Sequence, residues 1–228
     1  MMRYPFEDRL ERREMVAGWL YFPFHFLIFP LLSGYLAELG VGVVNLIFYG
    51  LGLLFLLLFM LPWLYRQYNV LCDRPVWCLS SMAWGYLVNY ALSGLVVLLL
   101  MSMETEAEGN PNNSFVLGLQ GFDGRALKAL AIFMAPLLEE TLLRGVIFGS
   151  LHRRSRAAAY GVSILLFSIC HVWQFVLSSG DSGLWLYVLQ YIPASLGLCY
   201  AYERSGSIWT PIFLHTFINA MAFSISAA

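Results

Sequence analysis

The sequence predicts an all-α, polytopic membrane protein of about seven transmembrane helices, with a functional site in the bundle core. Three observations carry that expectation. Charged residues make up 12% of the 228-residue chain, about half of the ~25% usual for a soluble domain. Hydrophobic residues make up 60%, gathered into runs that reach the roughly 20 apolar residues a spanning helix needs. The basic residues fall in alternate gaps between those runs. With a net charge of −1 there is no basic surplus to attract nucleic acid. The bilayer is the expected partner.

The candidate spans are 15–37, 41–64, 77–101, 126–150, 157–178, 184–202 and 207–226. The first two are separated only by AELGVG, and Pro23 and Pro30 predict a kink in the first. The opening MMRYPFEDRLERRE is charged for longer than a usual leader n-region, and the apolar run after it lacks a small-residue cleavage site. That run is expected to stay as the first membrane helix. The loop 102–125 opens with polar, acidic residues and Asn-Pro, which predict a flexible stretch. FVLGLQGF after it suits either the membrane interface or a packed loop. Residues 1–125 are read as N-terminal membrane helices and the acidic loop. Residues 126–228 are read as the core that holds the candidate site, the whole forming one integral membrane domain.

Arg3, Arg9, Arg12, Arg13, Arg66, Arg74, Arg153, Arg154, Arg156 and Arg204 all fall on one side of such a bundle. Arg125 and Lys128 fall on the other. The positive-inside rule then places the N-terminus in the cytoplasm and the C-terminus outside. The four cysteines form no CxxC pair and are read as reduced and structural.

Once loop and terminal charges are set aside, Glu139, Glu140 and Arg144 remain deep in one span. Ionisable groups at that depth are functional candidates that face the protein interior. Glu140 and Arg144 are spaced i, i+4 with the acid N-terminal, the favourable order for a helical ion pair. Neighbours on a helix point about 100° apart, so Glu139 faces elsewhere and lacks a cation on its own helix. A lone carboxylate in such a site suits a general base. Phe167 and His171 share a face of span five, and His215 and Asn219 share a face of span seven. At 1.5 Å rise per residue, Glu139, His171, His215 and Asn219 all lie roughly 12–21 Å from the cytoplasmic ends of their spans.

A carboxylate, two imidazoles and a carboxamide at one depth suit attack of water on a peptide bond. Glu139 with His171 would hold and activate the water. Asn219 and His215 would donate to the oxyanion, and Phe167 would help exclude bulk water. No cofactor or metal is needed on this reading. Alternatives remain open. Glu139, His171 and His215 would make a His2Glu zinc set, although no HExxH is present. Mid-membrane acids and histidines also serve proton relays and transporters, and a non-catalytic scaffold would need no chemistry. Asn89, Gln174 and Gln190 suit simple hydrogen-bond clasps.

EETLLR (139–144), FSICH (167–171) and HTFIN (215–219) resemble, in order, the EExxxR, FxxxH and HxxxN motifs of the CPBP family (Abi, or CAAX prenyl protease 2-like). The resemblance covers about residues 126–226 and leaves the first three spans unmatched. It implies a glutamic intramembrane endopeptidase, with Glu139 as catalytic base and His171 as its partner. His215 and Asn219 would be oxyanion stabilisers, and Glu140 and Arg144 supporting residues. The implied partner is a protein or peptide substrate with a hydrophobic or lipidated segment. C-terminal tails, signal peptides, bacteriocins and CAAX proteins are the substrate types this family suggests, and a bacterial inner membrane is the expected location.

Overall fold

The computed structural model describes residues 5–103, 110–111 and 121–225, with the side chains of 121–123 and 225 left out of account. The chain is all-α, and no strand occurs among the described residues. The helical rods are α1 (Arg12–Leu39), α2 (Val41–Asp73), α3 (Pro75–Ser102), α4 (121–152), α5 (Arg156–Ser179), α6 (Ser182–Ser205) and α7 (Trp209–Ile225). The rods α1, α2, α3, α5 and α6 are long and apolar enough to cross a membrane. The other two correspond to expected spans four and seven. α4 carries the internal charges, and α7 is described over 17 residues.

The break between α1 and α2 falls on one residue, Gly40, whose φ of 83° is open to glycine at little cost. α2 runs nine residues beyond its expected end at 64, through Asp73, so Arg66 lies in a helix rather than a loop. Pro75 opens α3 at a first-turn position, where the missing N–H costs nothing. Ser155 caps α5, its hydroxyl accepting from the Ala158 amide at 3.2 Å. The predicted flexible and interfacial stretches of the 102–125 loop lie almost wholly outside the described residues. Within that loop Asn110 is buried and donates to Gln190 Oε1 at 2.6 Å.

Several rods contain π-helical turns with one proline logic. Phe24–Ile28, Leu56–Met60 and Leu130–Met134 each end two residues before a proline: Pro30, Pro62 and Pro136. Proline lacks an N–H and its ring collides with the carbonyl of the preceding turn. A widened turn just upstream relieves both problems, which is where π-bulges serve helices. Pro30 thus has a π-turn before it. A fourth π segment, Thr141–Phe148, contains no proline and directly follows the two glutamates.

Packing between α3 and α6 is closest at Gly85 and Gly197. A Cβ placed on Gly85 would stand 2.7 Å from the Gly197 carbonyl oxygen. Small residues let membrane helices approach backbone to backbone. At one end of the bundle the polar segments tie together. Asp8 accepts from Arg153 at 2.7 and 2.8 Å, and its backbone carbonyl takes Trp63 Nε1 at 2.8 Å and Gln67 Nε2 at 3.0 Å. Gln67 also accepts from the Ile208 amide at 2.8 Å. Arg66 pairs with Glu14 at 2.5 Å. Glu203 takes Arg156 at 2.5 and 2.8 Å and Tyr160 at 2.8 Å. Arg66, Arg153 and Arg156, which the sequence places on one side, are thus tied together at one end of the bundle.

Candidate active site

The π segment of α4 holds a fully buried ionic knot. Arg144 Nη1 donates to Glu140 Oε1 at 3.0 Å, and neither side chain is exposed at all. Arg144 Nη2 reaches across to α6, donating to Ser195 Oγ at 2.8 Å and to the Ser195 carbonyl at 3.2 Å. The guanidinium carbon also sits 4.4 Å from the centre of the Phe167 ring, an arrangement in which the ring face attracts the cation. On the other side His215 Nδ1 lies 2.8 Å from Glu140 Oε1. Glu140 therefore bridges α4 to α7 while Arg144 bridges α4 to α6 and α5. Two charges taken out of water repay that cost only when the remaining donors and acceptors find partners. Ser195, His215 and the aromatic face supply some of them, whereas Glu140 Oε2 and Arg144 Nε are buried without a hydrogen-bond partner in the protein.

Glu139 points elsewhere, as the 100° step requires. Its Oε2 is 3.7 Å from His171 Nε2, each side chain being 17% exposed. That separation is too long for a direct hydrogen bond. Glu139 Oε2 has no hydrogen-bond partner in the protein.

His171 owes its position to a helix end that the sequence pattern does not reveal. The first segment of α5, Arg156–Cys170, stops at His171, whose φ and ψ are −86° and −12°. The chain resumes at Trp173. Carbonyls in a last turn lose their intrahelical partners. The Phe167 carbonyl is one of them, and it accepts from His171 Nδ1 at 2.7 Å. A carbonyl can only accept, so Nδ1 carries the proton. In a neutral ring Nε2 is then left with its lone pair towards Glu139. The imidazole is clamped between rings as well. Tyr191 stacks on it at 4.5 Å and Phe167 lies tilted at 4.4 Å. Phe167 itself is buried, with the His215 ring centre 5.6 Å away.

Of the four residues expected to converge, Glu139 and His171 face each other, while His215 and Asn219 each have another partner. Glu139 meets His171, and Glu140 meets His215. Asn219 Nδ2 donates to the Ala131 carbonyl at 3.0 Å, in the π-turn of α4 that precedes Pro136. That turn frees backbone carbonyls, and the carboxamide satisfies one of them. Among the described residues no three His, Cys, Asp or Glu side chains gather to hold a metal. Of the expected clasps, Asn89 accepts from Ser93 at 3.2 Å and Gln190 from Asn110.

A cavity of about 430 Å³ leads to the Glu139–His171 pair. Its walls come from α1, α2, α4 and α5 and include His25, Phe29, Phe48, Tyr49 and Ala131. Gln174, read from sequence as a clasp, lines it too. Ser195, Tyr191 and the cavity wall of α1 and α2 are contributions that residue type and spacing did not flag. A serine, a tyrosine and a phenylalanine are ordinary in such spans, and only the fold brings them to the charged centre.

The fold and this centre define a helical membrane protein with paired carboxylate–histidine contacts inside the bundle. Residues 125–221 match the Rce1-like family, described as type II CAAX prenyl endopeptidase Rce1-like. The chain is thus an all-α protein with several helices apolar enough to cross a membrane, and residues 125–221 of it are similar to that family. No curated protein and no solved structure matches the chain.

Proposed function

We propose that the protein is a glutamic intramembrane endopeptidase that hydrolyses a peptide bond in a membrane-associated protein or peptide. The observation that carries this reading is the Glu139–His171 pair, with oxygen and nitrogen 3.7 Å apart at the inner end of a cavity. Polar atoms spaced beyond direct hydrogen-bond reach suit a bridging water. Glu139 takes a proton from that water, and the lone pair of His171 Nε2 accepts its second hydrogen. The water oxygen attacks the substrate carbonyl carbon, and Glu139 then passes its proton to the leaving amine. General-base assistance of this kind contributes about 10²–10⁴-fold.

Asn219 spends one N–H on Ala131 and has a second to offer the oxyanion. His215, with Nδ1 turned to Glu140, offers a donor at Nε2 only as imidazolium. Glu140 and Arg144 hold α4, α6 and α7 in register around the pair. The substrate is a polypeptide with a hydrophobic or lipidated segment. The site is reached laterally from lipid or through a cavity open on one side, the N-terminus lies in the cytoplasm, and the location is a bacterial inner membrane.

The test is a mass-spectrometric map of membrane-protein and secreted-peptide termini in cells carrying wild type or Glu139→Gln at equal expression. Termini that vanish in the variant would identify both the reaction and the substrate. Identical maps would leave a scaffold or transporter.

A further inference from the structure

We infer that the substrate reaches Glu139 from the end of the bundle opposite the basic residues, so that the cleaved segment lies on the extracytoplasmic side. This rests on the peptidase reading and refines its substrate class. The relevant substrates are exported or membrane-tethered polypeptides, cleaved after their scissile region has crossed the membrane.

The argument is topological. Asp8 with Arg153, Glu14 with Arg66, and Glu203 with Arg156 fix one end of the bundle. That end holds the start of α1, the end of α2, the end of α4 and the start of α5. The cavity is lined instead by Ser33 and Ala37 in the last part of α1, and by Val41 and Asn45 at the start of α2. Leu127 and Ala131 in the first part of α4, and Gln174 beyond the break in α5, complete the lining. In four rods of alternating direction, each of these stretches lies at the far end. Ala37, Val41 and Gln174 are solvent- or lipid-exposed and form the rim, whereas Phe29 and His25 are buried along the wall. Towards the basic end, Glu139 is followed by Leu142, Leu143, Val146, Ile147 and Phe148, all fully buried. The thirteen residues from Glu139 to His152 amount to roughly 20 Å of packed helix. Cations concentrate on the cytoplasmic side of membrane proteins, so the cavity mouth lies on the other side.

The cavity also has the chemistry of a peptide cleft. Phe29 and Phe48 give apolar wall, and His25 stacks on Phe48 at 4.4 Å. The His25 Nδ1 is buried without a hydrogen-bond partner in the protein. A substrate backbone group is the kind of ligand such a nitrogen takes.

The chain carries its own reporters. Cys170 lines the cavity, whereas Cys72 is exposed at the basic end of α2. Intact cells expressing wild type would be treated with a small, charged, membrane-impermeant methanethiosulfonate, and modified cysteines located by peptide mass spectrometry. The expected result is modification of Cys170 in intact cells and of Cys72 only after permeabilisation. Modification of Cys170 only after permeabilisation, or of Cys72 in intact cells, would overturn the inference. If Cys170 resists the reagent on both sides, the exposed Gln174→Cys variant reports the mouth by the same criterion. Labelling of Gln174→Cys from outside should also reduce cleavage at least tenfold. Undiminished cleavage by the fully labelled variant would show that this cavity is not the substrate route. The labelling pattern needs no catalysis, so it decides the side of opening even where terminus maps show no proteolysis.

Discussion

His171 Nε2 stands 3.7 Å from Glu139 Oε2 while the other nitrogen of the same ring is held by the Phe167 carbonyl. A broken helix thus presents an imidazole lone pair to a carboxylate. Glu139→Gln keeps the shape of the side chain and removes the proposed base. Cleavage should fall by about 10²–10⁴-fold, with thermal stability in detergent within a few degrees of wild type. Loss of folded protein at this position would indicate a structural carboxylate instead.

Arg144 is the hub of the buried knot. Arg144→Ala breaks a fully buried ion pair and leaves Glu140 with His215 in place of the guanidinium, and breaking such a pair costs about 3–5 kcal/mol. The folded yield and melting temperature should drop sharply. Arg144→Lys should rescue little, because one ammonium cannot reproduce the planar reach to both Glu140 and Ser195. Chromatographic yield of monodisperse protein checks both variants, and a normal yield of Arg144→Ala would contradict the pairing.

The α3–α6 contact depends on the absence of side chains at Gly85 and Gly197. Gly85→Val forces a branched side chain against the Gly197 carbonyl and against Leu214 and Ala201. Overpacking of this kind costs about 1–3 kcal/mol. A lower melting temperature is expected with little change in KM, since neither glycine lines the cavity. Unchanged stability would mean that the two rods separate readily.

Activity should survive a strong chelator, because on the proposed mechanism Glu139 and His171 act on water without a metal. Titration of purified protein with a chelator, followed by cleavage of the mapped substrate, checks this. Loss of activity restored by added zinc would favour the His2Glu alternative.

Much of this architecture is legible in the sequence because lipid imposes simple rules. Helix length and the sidedness of arginine follow from bilayer thickness and charge, and the rods lie near the expected spans. Glu140 and Arg144 were readable because i, i+4 spacing survives even in the π segment that joins them. The break in α5 was not. SICHVWQF contains no glycine or proline, and His171 itself supplies the partner that ends the segment. Glu139 is read with His171, but equal depth does not tell that His215 meets Glu140. Rotation about each helix decides that, and the π-turns before Pro30, Pro62 and Pro136 shift the rotation in ways a fixed 100° step does not follow. The cavity wall from α1 and α2 carries no catalytic residue type, so only packing exposes its role.

The most direct test of the central claim is a double-mutant cycle on Glu139 and His171, using the substrate found by terminus mapping. Cleavage rates of Glu139→Gln, His171→Gln and the double variant would be compared in proteoliposomes. Groups that act as one unit lose their effect together. The account predicts that each single variant loses about 10²–10⁴-fold and that the double variant is no slower than the worse single. Losses that multiply, or a Glu139→Gln protein that still cleaves, would contradict a water shared between the two side chains.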